Sequence, residues 1–300
     1  MIDLPVYASI RAIGGVVHLL GPRVGYGMAS FAARVWHLVV PGRLKIIDKN
    51  LDLAFPEGLD NKRRRKIRYE CCRHAVANLM EGFFRKGRVT PENWQEFFDI
   101  DPVLKKHVME PHPKGLVILS AHLGGWEMGG YFLGAMGKPA SSVVRTLDNP
   151  YHDRYSARGR THFGGTVIPK WGALRGMIKE LKAGGSILTL TDQSASVREG
   201  YQTFFGVPTT AYHSYARILV RQGCPVVFAV CVRDEGFRFH FRTYAHVLDV
   251  PKEGTVNERA AVLVRNYLTR VEEYARKYPE QYLWMHKRFK KTAEGVESPY

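Results

Sequence analysis

The sequence predicts a single α/β domain with a central mixed sheet flanked by helices and a helical N-terminal extension. From about Lys114 onward, short apolar runs alternate with helical patterns, which is typical of α/β domains. No internal repeat, low-complexity tract or linker divides the 300 residues. The hydrophobic share of 45% and the charged share of 24% are those of a folded globular protein, long enough to bury a sizeable core.

Residues 1–40 form the predicted N-terminal extension, which is apolar with scattered basic residues. Arg11, Arg23 and Arg34 interrupt the apolar runs before they reach the roughly 20 residues that a bilayer crossing requires. The start of the chain also lacks the layout of a signal peptide. We therefore expect an interfacial helix or helical hairpin that lies on a membrane. An ordinary pair of core helices is the alternative.

The remaining residues, 41–300, are predicted to form the domain itself. We expect residues 41–112 to be helical, residues 113–250 to form the α/β core and residues 251–300 to form C-terminal helices. The basic cluster at residues 62–68 is most simply a solvated helix face. Beside an apolar extension it would also lie near anionic headgroups, where each Lys or Arg contributes about 1 kcal/mol of attraction.

Short apolar runs predict the strands of the core. They cover residues 116–119, 142–144, 166–168, 187–190 and 225–232. The stretch Phe237 to Phe241 alternates aromatic and polar residues, which predicts a further strand buried on one face.

Two helices are predicted from apolar residues at helical spacing. The first has Leu174, Met177, Ile178 and Leu181 on one face and ends before Gly184. The second lies near the C-terminus and is stopped by Pro279. Its apolar face contains Val264, Leu268, Val271, Ala275 and Tyr278.

The formal net charge of +16 and the isoelectric point near 9.7 imply an anionic partner. Nucleic acid, an acidic membrane surface, an acidic protein and a phosphorylated substrate all satisfy that condition. The cysteines are Cys71, Cys72, Cys224 and Cys231, and their spacing fits neither a disulfide framework nor a zinc site. We expect free thiols in a reducing compartment.

The stretch GLVILSAHLGGWEMGG at residues 115–130 contains the main candidate for chemistry. Its apolar run predicts a buried strand that delivers His122 and Glu127 into a turn. In a continuous helix, residues five apart are rotated by roughly 140° from each other, so the two side chains meet only if the chain turns at Gly124 and Gly125. An imidazole held by a carboxylate can act as a general base on a hydroxyl. A purely structural pair is the alternative.

Other chemistries find less support in the sequence. No serine lies in a Gly-x-Ser-x-Gly elbow, and no glycine-rich loop fits a phosphate or dinucleotide site. The spacing of His122, Glu127, His152 and Asp153 does not favour a metal site, so we predict no metal and no cofactor.

Several motifs, taken in order, resemble those of the lipid A biosynthesis acyltransferase family, whose members add a secondary acyl chain to a lipopolysaccharide precursor. The similar segments cover most of the chain beyond about residue 40. They are NLDLAFPE at 50–57, AHLGGWE at 121–127, VVRTLDNPYHDRYSARGRTHFGG at 143–165, TDQ at 191–193, FFGVPTT at 204–210 and PEQYLWMHKRFK at 279–290.

The resemblance implies a fold like that of the glycerolipid acyltransferases, and a His-x4-Glu catalytic pair, His122 and Glu127. His122 would remove the proton of an acceptor hydroxyl that attacks the thioester of an acyl carrier protein, and Glu127 would orient the imidazole. The acceptor would be a lipid A precursor at the cytoplasmic face of the inner membrane. The acyl thioester is then a co-substrate. The N-terminal stretch is less apolar than the membrane anchor usual in the family.

Four further residues are candidates for substrate binding. Arg145 and Arg160 have no obvious acidic partner at helical spacing, and guanidinium groups bind phosphate oxygens well or stabilise a developing oxyanion. Solvated surface arginines are the alternative. Asp192 and Gln193 follow a predicted strand, where α/β sheets place ligand groups, so we expect them to shape the site.

Two other functions are consistent with parts of the sequence. A non-catalytic basic module that binds membranes or nucleic acid would explain the charge, but it gives no reason for the ordered motifs around His122. An acyltransferase acting on a glycerolipid or a mannosylated glycolipid would use the same catalytic pair. In the favoured interpretation the partners are an acyl carrier protein, a glycolipid acceptor and an anionic membrane surface, and nucleic acid is not a partner.

Overall fold

Seven strands form the central sheet of the computed structural model, which describes residues 3–300. Residues 1 and 2 of the predicted extension lie outside the described residues. The strands of the described chain are β1 (Phe98–Asp99), β2 (Leu116–Ser120), β3 (Ser141–Val144), β4 (Val167–Pro169), β5 (Ser186–Leu190), β6 (Tyr201–Phe204), β7 (Val207–Thr210), β8 (Val226–Arg233) and β9 (Phe241–Val247).

The sheet runs in the order β1-β9-β8-β2-β5-β3-β4, and β6 and β7 form a separate antiparallel hairpin. Only β8 and β9 pair antiparallel within the central sheet, so the sheet is mixed, as predicted. All five residues of β2 and all eight of β8 are buried, because helices cover both faces there. The five apolar runs predicted as strands are confirmed within one or two residues.

The helices of the described chain flank this sheet. They are α1 (Asp3–Leu20), α2 (Pro22–Val39), α3 (Pro41–Ala54), α4 (Asn61–Phe84), α5 (Pro102–Met109), α6 (Trp126–Ala135), α7 (Pro150–Arg160), α8 (Ala173–Lys182), α9 (Ser214–Gln222) and α10 (Val256–Lys277). Across residues 3–300, none of them has both the length and the apolar content that a membrane crossing requires.

The two helices predicted from apolar spacing are present. Met177 and Leu181 of α8 are buried, whereas Leu174 on the same predicted face remains 40% exposed. Helix α10 begins at a capping box formed by Thr255 and Glu258. It ends two residues before Pro279, and residues 278–300 continue as turns and loops, so residues 251–300 contain one helix where we expected several.

The prediction of a strand from Phe237 to Phe241 is wrong. Phe237 and Phe239 adopt left-handed backbone angles, with φ of 48° and 60°, and β9 begins only at Phe241. Both rings are nevertheless buried: Phe237 contacts Tyr26, and Phe239 contacts Phe84 edge to face. The alternation of aromatic residues therefore reflects a tight loop that turns its rings inward, rather than the two-residue period of a strand.

The segment predicted as helical, residues 41–112, holds α3, α4 and α5 but also the edge strand β1. Within its basic cluster, Arg64 pairs with Asp52 at 2.6 Å, and Arg63 and Lys66 both approach Glu280. The cluster is thus a solvated face partly neutralised by the protein's own carboxylates. The four cysteines are free and buried.

Helices α1 and α2 pack against α4 through small residues. A Cβ atom at Gly14 would lie 2.7 Å from the ring of Phe83, and one at Gly25 would lie 2.7 Å from the ring of Phe84. The outer faces of both helices, which point away from α4, are exposed and carry many apolar side chains. The exposed side chains are Leu4, Val6, Ile13, Val16, Leu19 and Leu20 on α1, and Phe31, Val35, Leu38 and Val39 on α2.

Candidate active site

His122 and Asp192 follow the carboxyl ends of two neighbouring parallel strands, β2 and β5. The imidazole Nδ1 donates a hydrogen bond to Asp192 Oδ1 at 2.7 Å, and the backbone N–H of His122 donates to Oδ2 at 3.0 Å. Tyr267 joins the same strand ends: its hydroxyl donates to the carbonyl of Ser120 at 2.7 Å and accepts from the N–H of Thr191. The imidazole is thereby held with Nε2 as its acceptor nitrogen.

The Asp192 side chain is buried at the base of this arrangement. Burial by itself would raise the pKa of Asp192, but the charge of His122 and its two hydrogen bonds outweigh that effect, so the pKa lies below its ordinary value. The carboxylate is therefore ionised at neutral pH. It stabilises the imidazolium that forms when His122 accepts a proton.

The other side of the imidazole faces a cleft of about 1240 Å³. Nε2 lies 3.3 Å from the amide nitrogen of Gln193, and the ring of Trp126 contacts the imidazole edge to face at 5.5 Å. Asp192 and Gln193, which we expected to shape the site, both lie beside His122, and their part in binding substrate stays a prediction. The cleft continues between β3, β5 and α8, where it is lined by apolar side chains that include Val143, Met177 and Leu188.

Glu127 lines the same cleft but does not hold the imidazole. We expected it to orient His122, and Asp192 takes that place instead. Glu127 forms a two-point ion pair with Arg160, with Oε1 at 2.5 Å from Nη2 and Oε2 at 3.2 Å from Nε. Burial alone would raise the pKa of Glu127, but Arg160, followed by Arg85 and His122, lowers it below the ordinary value.

Arg85, at the end of α4, was not singled out from the sequence. Its guanidinium donates to the carbonyl of Glu127 at 3.1 Å and lies 4.5 Å from the centre of the Tyr131 ring. Burial lowers the pKa of Arg85, an effect that the charge of Glu127 opposes. A single arginine at the end of a polar helix has no sequence signal, because its partners lie about 40 residues away on α6.

The two arginines predicted to bind substrate differ in the structure. Both have an acidic partner, contrary to our expectation. Arg160 pairs with Glu127 inside the cleft, whereas Arg145 is exposed and pairs with Asp148, three residues away, at 2.9 Å. Arg145 lies at the rim of the cleft and Arg160 in its wall.

The turn between His122 and Glu127 is present as predicted, and α6 begins only at Trp126. Gly124 has a φ of 64°, and a Cβ atom there would lie 2.2 Å from the carbonyl oxygen of Cys231. The N–H of Gly125 donates to that same oxygen at 2.8 Å. Glycine at position 124 thus permits both the left-handed turn and the close approach to β8.

Two buried side chains hold the peptide oxygen of Gly124. Asn78 Nδ2 donates to it at 2.9 Å, and Arg233 Nη2 approaches it at 3.4 Å. On the other side of the turn, the N–H of Gly124 donates to the carbonyl of Gln281 at 3.0 Å. Helix α4, strand β8 and the C-terminal segment therefore all fix the turn that presents His122.

Arg233 belongs to a buried ion pair behind that turn. Its Nε and Nη2 donate to the two oxygens of Glu81 at 2.6 and 2.9 Å, and both side chains are fully buried. Tyr26 of α2 donates its hydroxyl to Glu81 at 2.8 Å. Burial, followed by the charge of Arg233, lowers the pKa of His74, so this histidine is neutral and its Nδ1 accepts from Arg233.

The C-terminal segment closes the back of the site. The N–H of Leu283 donates to the carbonyl of His122, and Asn50 donates to the carbonyls of Trp284 and His286. Burial lowers the pKa of His286 to about 4, so this ring is neutral at pH 7 and accepts from the N–H of Ser194. Three separate sequence motifs, at 50–57, 191–193 and 279–290, thus meet around His122.

The metal site that the spacing did not favour also lacks a ligand set in the structure. His152 packs its ring against Tyr7, and Asp153 accepts from the N–H of Leu147. Within residues 3–300, no three His, Cys, Asp or Glu side chains lie close enough together to hold a metal ion.

Comparison with known proteins agrees with the motifs. The model of the bacterial lipid A biosynthesis acyltransferase family matches residues 3–291. A lipid A biosynthesis lauroyltransferase of Escherichia coli is 27% identical over 93% of this chain and 88% of its own length. A palmitoleoyltransferase of lipid A biosynthesis from the same organism is 26% identical over 95% of this chain and 88% of its own. A lipid A biosynthesis acyltransferase of Haemophilus influenzae is 26% identical over 83% of this chain and 78% of its own.

Proposed function

Because this chain belongs to the bacterial lipid A biosynthesis acyltransferase family, we propose that it moves a fatty acyl group from an acyl carrier protein thioester to a hydroxyl of a lipid A precursor. We place the reaction at the cytoplasmic face of the inner membrane. The observation that carries the proposal is the His122–Asp192 pair at the wall of a large cleft. The sequence resemblance supports the donor and the membrane.

In the proposed reaction, the acceptor hydroxyl loses its proton to His122 Nε2 as its oxygen attacks the thioester carbonyl. The resulting tetrahedral intermediate breaks its carbon–sulfur bond, and the departing thiolate takes the proton back from the imidazolium. Asp192 keeps Nδ1 protonated and stabilises the imidazolium between the two steps. No acyl-enzyme is required, since the acceptor oxygen attacks the thioester directly.

Glu127 has a different role from the one expected for the second member of a His-x4-Glu pair. The two hydrogen bonds between Glu127 and Arg160 hold the Arg160 guanidinium at the cleft wall. Arg85 donates a hydrogen bond to the carbonyl of Glu127 and so holds its backbone in place. Arg160 then supplies positive charge for a phosphate of the acceptor or for the oxyanion of the tetrahedral intermediate. Glu127 acts through Arg160 as a positioning residue.

The cleft and the N-terminal helices suit a lipid reaction. The apolar wall formed by Val143, Met177 and Leu188 offers an environment for an acyl chain. On the outer surface, Leu19 and Leu38 are 80% and 83% exposed within a larger apolar face of α1 and α2. Burying such a side chain contributes about 1.5–3 kcal/mol, so we propose that this face lies in the membrane interface.

The test is acyl transfer to a purified lipid A precursor from an acyl carrier protein thioester. We expect His122→Ala and Asp192→Asn to lower the rate by about 10² to 10⁴, because each removes part of the general base. His107→Ala on α5 is the matched control, since its Nδ1 hydrogen-bonds to the carbonyl of Val103 in the same helix and the residue does not line the cleft. A His122→Ala enzyme within tenfold of the His107→Ala control would refute the mechanism. If the acyl-transfer rate is higher with a glycerolipid acceptor than with the lipid A precursor, the acceptor is a glycerolipid instead.

A further inference from the structure

The loop from Lys170 to Gly172, which leads into α8 at the mouth of the cleft, carries an unusual side chain. Trp171 exposes 86% of its surface, more than any other large apolar side chain of residues 3–300. Its backbone is well held, because the following Gly172 caps α8 in a left-handed conformation and Ala173 is buried. The indole is therefore presented outward by a structured loop.

Further apolar side chains surround the same opening. Leu174, in the first turn of α8, is 40% exposed, and Leu147, after β3, is 44% exposed. Both line the cleft together with Trp171. We call Leu147, Trp171 and Leu174 the apolar rim. Exposed apolar side chains grouped at the opening of a cleft indicate a surface with a binding partner.

The charge around the apolar rim is positive. The side chain of Arg175 is exposed and has no hydrogen bond or ion pair with any residue of the described chain. Lys170 is exposed beside Tyr212, and Arg145 pairs with the exposed Asp148. Three basic side chains thus accompany two carboxylates, Asp148 and Asp153, the second of which accepts from the N–H of Leu147. Tryptophan ringed by basic residues is typical of the headgroup region of an anionic bilayer, where the indole has both an apolar and a polar neighbour.

An aromatic contact joins α1 to the segment that follows Leu147 of the apolar rim. Tyr7 of α1 stacks on Tyr151 at the start of α7, with ring centres 5.5 Å apart. Tyr151 is itself exposed and lies four residues after Leu147 of the rim. This contact connects the N-terminal helices to the segment at the edge of the cleft.

We infer that the apolar rim is a second membrane contact, which inserts Trp171 among the headgroups of an anionic bilayer beside the opening to His122. A lipid acceptor then passes from the bilayer into the cleft without crossing water. That route rests on the proposed function, whereas the contact itself does not. An acidic protein would also be attracted by the basic residues, and its docking is one outcome of the test below.

Intrinsic fluorescence tests the inference with the full chain and with vesicles that contain neither donor nor acceptor. Trp171 is one of five tryptophans, so its signal is the difference between wild type and Trp171→Phe. On vesicles of phosphatidylcholine and phosphatidylglycerol, we expect this difference spectrum to shift to the blue and to be quenched by lipids brominated near the headgroup. Pure phosphatidylcholine should give a weaker effect. Trp94→Phe is the matched control, because its half-buried ring packs against Phe98 and Trp171 is retained.

Vesicle binding gives a second readout. A Trp171→Ala, Leu174→Ser variant should bind anionic vesicles about tenfold more weakly or worse, with an unchanged unfolding transition. Equal quenching in wild type and Trp171→Phe, with the protein still bound to vesicles, would show that only α1 and α2 contact the bilayer and would overturn the inference. Acyl carrier protein is added in a further measurement. If the fluorescence of Trp171 then changes and its quenching by brominated lipids disappears, the inference is overturned in favour of protein docking at the apolar rim. Acyl transfer is measured in a separate assay. A failure of the proposed function is therefore distinguishable from a failure of the membrane contact.

Discussion

Substituting Gly124 with alanine probes the turn that presents His122. The new Cβ atom would lie 2.2 Å from the carbonyl oxygen of Cys231 and 3.0 Å from the Cα of Val232, both backbone atoms of β8. Because nonbonded carbon and oxygen atoms rarely approach closer than about 3.2 Å, the turn must move away from the strand by about 1 Å. That movement would break the hydrogen bond from Gly125 to the same carbonyl.

Two costs add in this variant. A non-glycine residue in the left-handed region costs about 1–2 kcal/mol, and forcing an extra carbon into a packed site costs about 1–3 kcal/mol more. Displacement of a positioned catalytic group by about 1 Å lowers the rate by about 10². We therefore expect Gly124→Ala to fold with reduced stability and to lose about 99% of its acyl-transfer rate at saturating substrate.

Gly137→Ala is the matched control, because Gly137 also has a positive φ, of 73°, and a Cβ atom there meets no atom within 4 Å. It should show the backbone cost of about 1–2 kcal/mol in urea unfolding and keep wild-type activity. The comparison therefore separates backbone strain from the contact with β8. If Gly124→Ala retains a rate within threefold of Gly137→Ala, the turn does not set the position of His122 and the reasoning is refuted.

Two further predictions concern buried charges. Glu81→Gln should lower the free energy of unfolding, measured in urea, by about 3–5 kcal/mol, since it leaves Arg233 buried without its counter-ion. The double variant with Arg233→Met should lose less unfolding free energy than the sum of the losses in the two single variants. Additive losses would contradict the pairing. Because the pKa of Asp192 is lowered in the folded protein, its carboxylate contributes stability that is complete at neutral pH and is lost as the pH falls below about 4. Asp192→Asn should thus be less stable than wild type at pH 7, and the difference in unfolding free energy should narrow in acid; a difference independent of pH would count against this assignment.

Local features of the chain were predictable from the sequence. Strand β2 has five buried apolar or small residues in a row, and the glycine pair that follows requires a turn before Glu127. Both are properties of neighbouring residues. The position of Asp192 at the end of β5 was predictable for the same reason, since ligand groups follow the carboxyl ends of parallel strands.

The partners of the candidate catalytic side chains were less predictable. Asp192 is 70 residues from His122, and it reaches the imidazole because β5 is the neighbour of β2, an adjacency that apolar runs alone do not specify. Glu127 is closer in sequence but enters α6 pointing toward Arg160. The buried pair of Glu81 and Arg233 spans 152 residues and joins two elements that looked unremarkable separately, a polar helix and an apolar strand.

The hydroxyl of Tyr26 links the N-terminal helices to the turn of His122 through only two further side chains, Glu81 and Arg233. These contacts are buried and leave little room for relative movement. Under the proposed placement of the outer face of α2 in the membrane interface, the protein would hold the imidazole at one fixed distance from the bilayer. A lipid acceptor then brings a hydroxyl to His122 only if its headgroup spans that distance, so selection of the acylated position is a matter of depth as well as of pocket shape.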